Sequence, residues 1–121
     1  ALARAQAWAA NDGAPEDWAR AGDVLDSLAR HSDAAQAYER AARLAEAQAD
    51  PERWTLYLLH GASLEQAGLW AEAEAVLERA YALAPSNPIV LNYLGYARLE
   101  RGEQLDEAEA LIARASSLAP D

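Results

Sequence analysis

The chain has 121 residues, room for one domain of ordinary size. Its twenty acids stand against ten basic residues, all Arg, and the net charge of −10 repels phosphate backbones, which excludes nucleic acid as a natural partner and favours basic protein segments. Cysteine, methionine and phenylalanine are absent, which excludes a disulfide framework and a thiolate metal site. No apolar run reaches the length of a membrane span. The 52% hydrophobic content owes much to Ala, the best helix former but one with little apolar area, so closely packed helices are expected rather than a thick core.

Residues 1–14 read as one partial helix and a turn. Ala1 to Ala10 has a helical pattern, and Asn11-Asp12-Gly13 stops it. It fits the second helix of a truncated preceding unit, and equally a terminal helix that caps a stack. The start lacks the basic head and apolar run of a secretory leader and has no initiator Met, which predicts a piece of a longer protein. Residues 15–48 form a first unit. Pro15 suits the first turn of a helix, followed by Glu16 and Asp17 at the positive end of its dipole. Ser32 is the expected N-cap of a second helix carrying Ala34, Tyr38 and Ala41 on one face. That helix is expected to run on past Glu46, and residues 49–53 form a linker and the start of the next helix, at Pro51.

Residues 54–87 form the clearest unit, with helices expected over about 51–66 and 70–83. Residues 88–121 form the third, with Asn87 as N-cap of its first helix. Trp18, Gly22 and Leu25 in the first unit match Tyr57, Gly61 and Leu64 in the second; Leu91 and Gly95 keep the same register in the third. Ala108 and Ala115 then arrive one residue late, which places a one-residue insertion in the turn between the third unit's helices, where it is tolerated. Three copies in register make this a repeat chain. Gly22, Gly61 and Gly95 each sit mid-helix, where Gly costs about 1 kcal/mol against Ala. A close helix crossing is the expected reason, with Ala34, Ala73 and Ala108 as the opposing small surface.

These residues resemble the tetratricopeptide repeat, whose pattern is W-x2-L-G-x2-Y followed by A, F, A and P. Residues 15–121 carry it, best in the middle copy. Ala21 and His60 depart from the usual Leu, Arg98 from the usual aromatic, and Glu46 from the usual Pro. The resemblance implies an all-α, right-handed α-solenoid of stacked antiparallel helix pairs, whose first helices line a concave groove. It also implies a non-enzymatic scaffold that binds a peptide or partner protein there. The Ala-rich, Arg-for-Lys usage points to a bacterial source and leaves the compartment, cytoplasm or cell envelope, open. The groove positions that carry over include Glu16, Asp23 and Asp26 of the first copy, Leu58, Ala62 and Glu65 of the second, and Ile89, Asn92 and Tyr96 of the third, with Tyr93 beside them. A clamp for C-terminal carboxylates needs basic groove residues, and these positions hold none. The expected partner segment has Arg or Lys at the first copy and apolar anchors at the third. The last helix, with Leu111, Ile112, Ala115 and Leu118, is expected to leave an apolar face open to the next repeat or to a second copy of the chain.

No residue set points to catalysis, a cofactor or a metal. His31 and His60 stand where the repeat packs, outside any metal-ligand spacing. Glu72, Glu74 and Glu78, and Glu103, Asp106, Glu107 and Glu109, read as solvated helix faces. Trp8, Trp18, Trp54 and Trp70 are spaced as core. The other reading from a different class is an accessory array of a larger enzyme, such as a glycosyltransferase, with catalysis outside this chain.

Overall fold

Pro15 opens the first helix with its ring at the first helical position, where a missing N–H leaves no bond unmade. The computed structural model describes residues 14–102 and 104–118. They form α1 (Pro15–Ser27), α2 (His31–Ala47), α3 (Trp54–Gln66), α4 (Trp70–Leu83), α5 (Pro88–Arg101) and α6 (Leu105–Leu118). Three-residue turns fold α1 onto α2, α3 onto α4 and α5 onto α6 as antiparallel pairs, and α2–α3 and α4–α5 contacts stack the pairs into an α-solenoid. The expected helix over residues 1–10, with Trp8, lies outside the described residues.

The turns explain where the helices stop. Arg30 N–H donates to Leu25 O at 2.8 Å and Ala29 N–H to Asp26 O at 2.9 Å, with Ala29 left-handed at φ 60°. Leu69 and Gly68 repeat these bonds to Leu64 and Glu65, and Asp50 and Ala49 repeat them to Ala45 and Glu46. Each satisfies two carbonyls that the helix end would otherwise orphan. Before α6, Gly102 (φ 70°) and Gln104 (φ 49°) are both left-handed.

Two local expectations are corrected, and a third is extended. Ser32 is the second residue of α2 and does not cap it; the N-cap is Arg30, without a side-chain bond, and its guanidinium meets Asp33 at 2.8 Å. α3 begins at Trp54, because Pro51–Arg53 form a turn pinned by Asp50, whose carboxylate accepts from Glu52 N–H at 2.9 Å. The mid-helix glycines receive a large side chain: a Cβ at Gly22 would lie 2.6 Å from the Tyr38 ring, at Gly61 2.7 Å from Leu77, and at Gly95 2.8 Å from Ile112. Ala73 O, 3.5 Å from such a Cβ at Gly61, and Ala108 O, 3.1 Å from one at Gly95, keep the expected close crossing, and the notch also admits the bulky residue one turn further on. Asn87 caps α5 as expected, accepting from Ile89 and Val90 N–H at 2.9 and 3.3 Å.

Ala is what makes the stacking close. Ala35, Leu64, Trp70, Ala73, Leu77, Leu94 and Ala97 form one buried cluster that runs from α2 to α5. A second cluster joins α1 to α2 around Tyr38 and Leu25, and a third joins Ala42, Tyr57, Ala80 and Val90 across the pairs. Trp70 is buried, while Trp18 and Trp54 pack at the margins of these clusters.

Candidate functional site

The first helices of the first two pairs meet through a polar contact. Asp26 on α1 accepts from Ser63 of α3 at 2.9 Å and from His31 Nδ1 at 2.9 Å. Asp23 accepts from the Tyr38 hydroxyl, and burial together with that carboxylate raises the Tyr38 phenol far above its ordinary value. Two acids placed on the groove by the sequence therefore also tie α1 to α2 and α3. Glu16 is exposed at the start of α1, and its neighbour Asp17 is buried, with Arg20 at 4.0 Å. Leu58 and Ala62 are half-buried on α3, where Leu58 packs against the central cluster.

The remaining predicted residues converge. Glu65 from α3 and Ile89, Asn92, Tyr93, Tyr96, Ala97 and Glu100 from α5 line an open hollow of about 420 Å³. Ile89 is 59% and Tyr96 54% exposed, a large apolar area to leave in water. Tyr93 is half-buried at the floor. Burial, then the nearby Glu65, Asp26 and Glu100, pushes its hydroxyl up. Burial and the Glu100 charge raise the Glu65 carboxyl above its usual range, while Arg101 pulls the other way.

The geometry also holds features that the periodicity did not reveal. Arg98 is buried, and Glu74, Glu78 and Glu107 gather round it at 3.1, 2.6 and 3.7 Å. Three acids read as solvated faces thus serve one guanidinium; the signal for this was Arg98 itself, a charge where Leu25 and Leu64 stand in the other copies. Glu103 lies outside the described residues. A second open hollow, of about 610 Å³, is lined by α2, α3 and α4, with Gln36, His60, Arg43, Arg79, Glu39 and Glu72 on its walls. Burial lowers the His60 imidazole below its ordinary value. The C-terminal stripe divides: Ala115 is fully buried, Leu111 and Ile112 close on Gly95, and Leu118 stays exposed.

Residues 54–97 match the family model described as Tetratricopeptide repeat. That segment contains the second helix pair and the first ten residues of α5, and the pairs on either side carry the same register. Residues 54–97 are tetratricopeptide repeat. Such repeats are in general non-catalytic scaffolds for protein interaction, and the hollow opens between α3 and α5. No curated protein matches the chain. No described helix is long and apolar enough to cross a membrane, and no group of three or more His, Cys, Asp or Glu among the described residues is placed to hold a metal ion.

Proposed function

We propose that the chain binds an extended or helical segment of a partner protein along the face of α1, α3 and α5, with its main anchor in the hollow over Tyr93. The observation that supports this is the hollow itself. It joins five residues from two helix pairs, Glu65, Ile89, Asn92, Tyr93 and Tyr96, and leaves Ile89 and Tyr96 more than half exposed. Aromatic side chains at the centre of a concave surface are the usual energetic anchors of an interface. Asp23 and Asp26, with part of their hydrogen-bonding capacity taken up inside the fold, supply a softer acidic field towards the first pair.

Partner affinity is the test. With the protein that co-purifies with the full-length chain, Tyr96→Ala and Ile89→Ala should each weaken binding by about tenfold, equivalent to about 1.4 kcal/mol. A matched substitution in the hollow of α2, α3 and α4, Gln36→Ala, should change nothing. A partner that tolerates both groove substitutions and loses affinity with Gln36→Ala uses the hollow of α2, α3 and α4 instead.

A further inference from the structure

Glu65 and Glu100 face the same hollow from α3 and α5, and neither forms an ion pair among the described residues. Other acids nearby are engaged: Asp23 with Tyr38, Asp26 with His31 and Ser63, Glu74, Glu78 and Glu107 with Arg98. The hollow therefore combines two unspent carboxylates with two tyrosine rings, Tyr93 and Tyr96, three residues apart on one side of α5.

That combination suits one kind of group. A guanidinium is planar and weakly hydrated, so it can lie on an aromatic face while its edge donates to carboxylates. A neutral apolar side chain would cover the rings but strand Glu65, which the site already holds partly out of water beside a second acid. A carboxylate would meet repulsion from both acids. We propose that the hollow takes an arginine side chain of the partner segment, its guanidinium accepted by Glu65 and Glu100 and covered by Tyr96. This rests on the groove reading above and reverses the polarity expected from sequence, which set the basic end of the segment at the first pair. Ile89, at the rim of the same hollow, then covers an apolar residue next to the arginine. The fold already makes the same arginine-on-ring contact internally, with Arg40 at 5.5 Å from the Trp18 centroid and Arg101 at 5.4 Å from Trp70.

Two synthetic probes separate this proposal from the groove reading it rests on: the peptide acetyl-Ala-Leu-Arg-Leu-Ala-amide, and the same peptide with citrulline, the neutral isostere, for arginine. Ring resonances of Tyr93 and Tyr96 are followed in the whole chain by NMR. The arginine peptide should shift both saturably, and the citrulline peptide should bind about tenfold more weakly. The double substitution Glu65→Gln with Glu100→Gln should bring the arginine peptide down to the citrulline level. Equal titration of both peptides at these tyrosines would leave the groove reading standing and overturn the arginine proposal. If neither peptide moves Tyr93 or Tyr96 while resonances elsewhere shift, both are overturned.

Discussion

Arg98 of α5 donates to Glu78 of α4 at 2.6 Å, a charged bond across the junction of the second and third repeats. The same guanidinium donates to Glu74 at 3.1 Å and has Glu107 of α6 at 3.7 Å. Its register position belongs to Leu25 and Leu64 in the other repeats, both buried. A core position has thus been given to a cation, and three acids from two helices keep it satisfied.

The exposures decide what its loss would do. Arg98 is only 9% exposed, whereas Glu78 and Glu107 are 52% and 66% exposed and can rehydrate once it is gone. Arg98→Ala should therefore cost about 2–3 kcal/mol, below the full value for breaking a buried pair. Arg98→Leu, which refills the volume, should come within about 1 kcal/mol of the parent. Urea unfolding of the three proteins checks both. An alanine variant as stable as the parent would show that the cluster contributes nothing to repeat stacking.

The glycine notch gives a second prediction. A Cβ at Gly61 would lie 2.7 Å from Leu77, whose side chain is itself buried and has little room to retreat. Gly61→Leu should cost roughly 1–3 kcal/mol through overpacking. A melting temperature equal to the parent's would place Gly61 away from a close crossing.

A third concerns the left-handed turns. Gly68 ends α3 at φ 84°, but Ala29 does the same work for α1 at φ 60°, where an L side chain is strained. Ala29→Gly should stabilise the chain by roughly 0.5 kcal/mol, the relief of strain outweighing the greater freedom of Gly in the unfolded chain. Gly68→Ala should destabilise it by about 1 kcal/mol. Thermal unfolding of the two single variants tests the pair, and equal signs would contradict it.

The fourth is a pH dependence. Burial lowers the His60 imidazole below its ordinary 6.5, with Arg79 and Arg43 acting the same way and Glu39 and Glu72 opposing. Below about 6.5 the unfolded chain binds a proton that the folded chain resists, so stability carried by neutral His60 is full above that pH and falls as pH drops through it. His60→Leu restores the residue usual at this register and removes the titration. Its gain over the parent should be larger at about pH 5 than at about pH 8. A gain that does not change with pH would mean that His60 is as easily charged when folded as when unfolded.

Much of the fold was legible in the residues because helical repeats are built from local pattern. Gly22, Gly61 and Gly95 mark three registers, Asn87 and Pro15 mark helix starts, and Glu46 marks the place where α2 runs on. The ends that were misread failed for local reasons with tertiary causes. Ser32 has the chemistry of a cap, but the left-handed turn at Ala29 lets the helix begin at His31. Pro51 can start a helix, yet Asp50 holds it in a turn and α3 waits until Trp54.

Amino-acid sequence by itself determined the repeat, the all-helical class, and the helix faces that carry Glu65, Ile89, Asn92, Tyr93 and Tyr96. These follow from spacing along one helix and need no knowledge of its neighbours. Tertiary structure alone decided which acids are spent. Asp26 finds Ser63 thirty-seven residues away, and Arg98 collects Glu74, Glu78 and Glu107 from two other helices. Glu65 and Glu100 lie on separate helices, and only the stacking of α5 beside α3 sets them round one hollow with no ion pair to either among the described residues. Charge pairing depends on distance through space, whereas periodicity reports only direction from a helix axis.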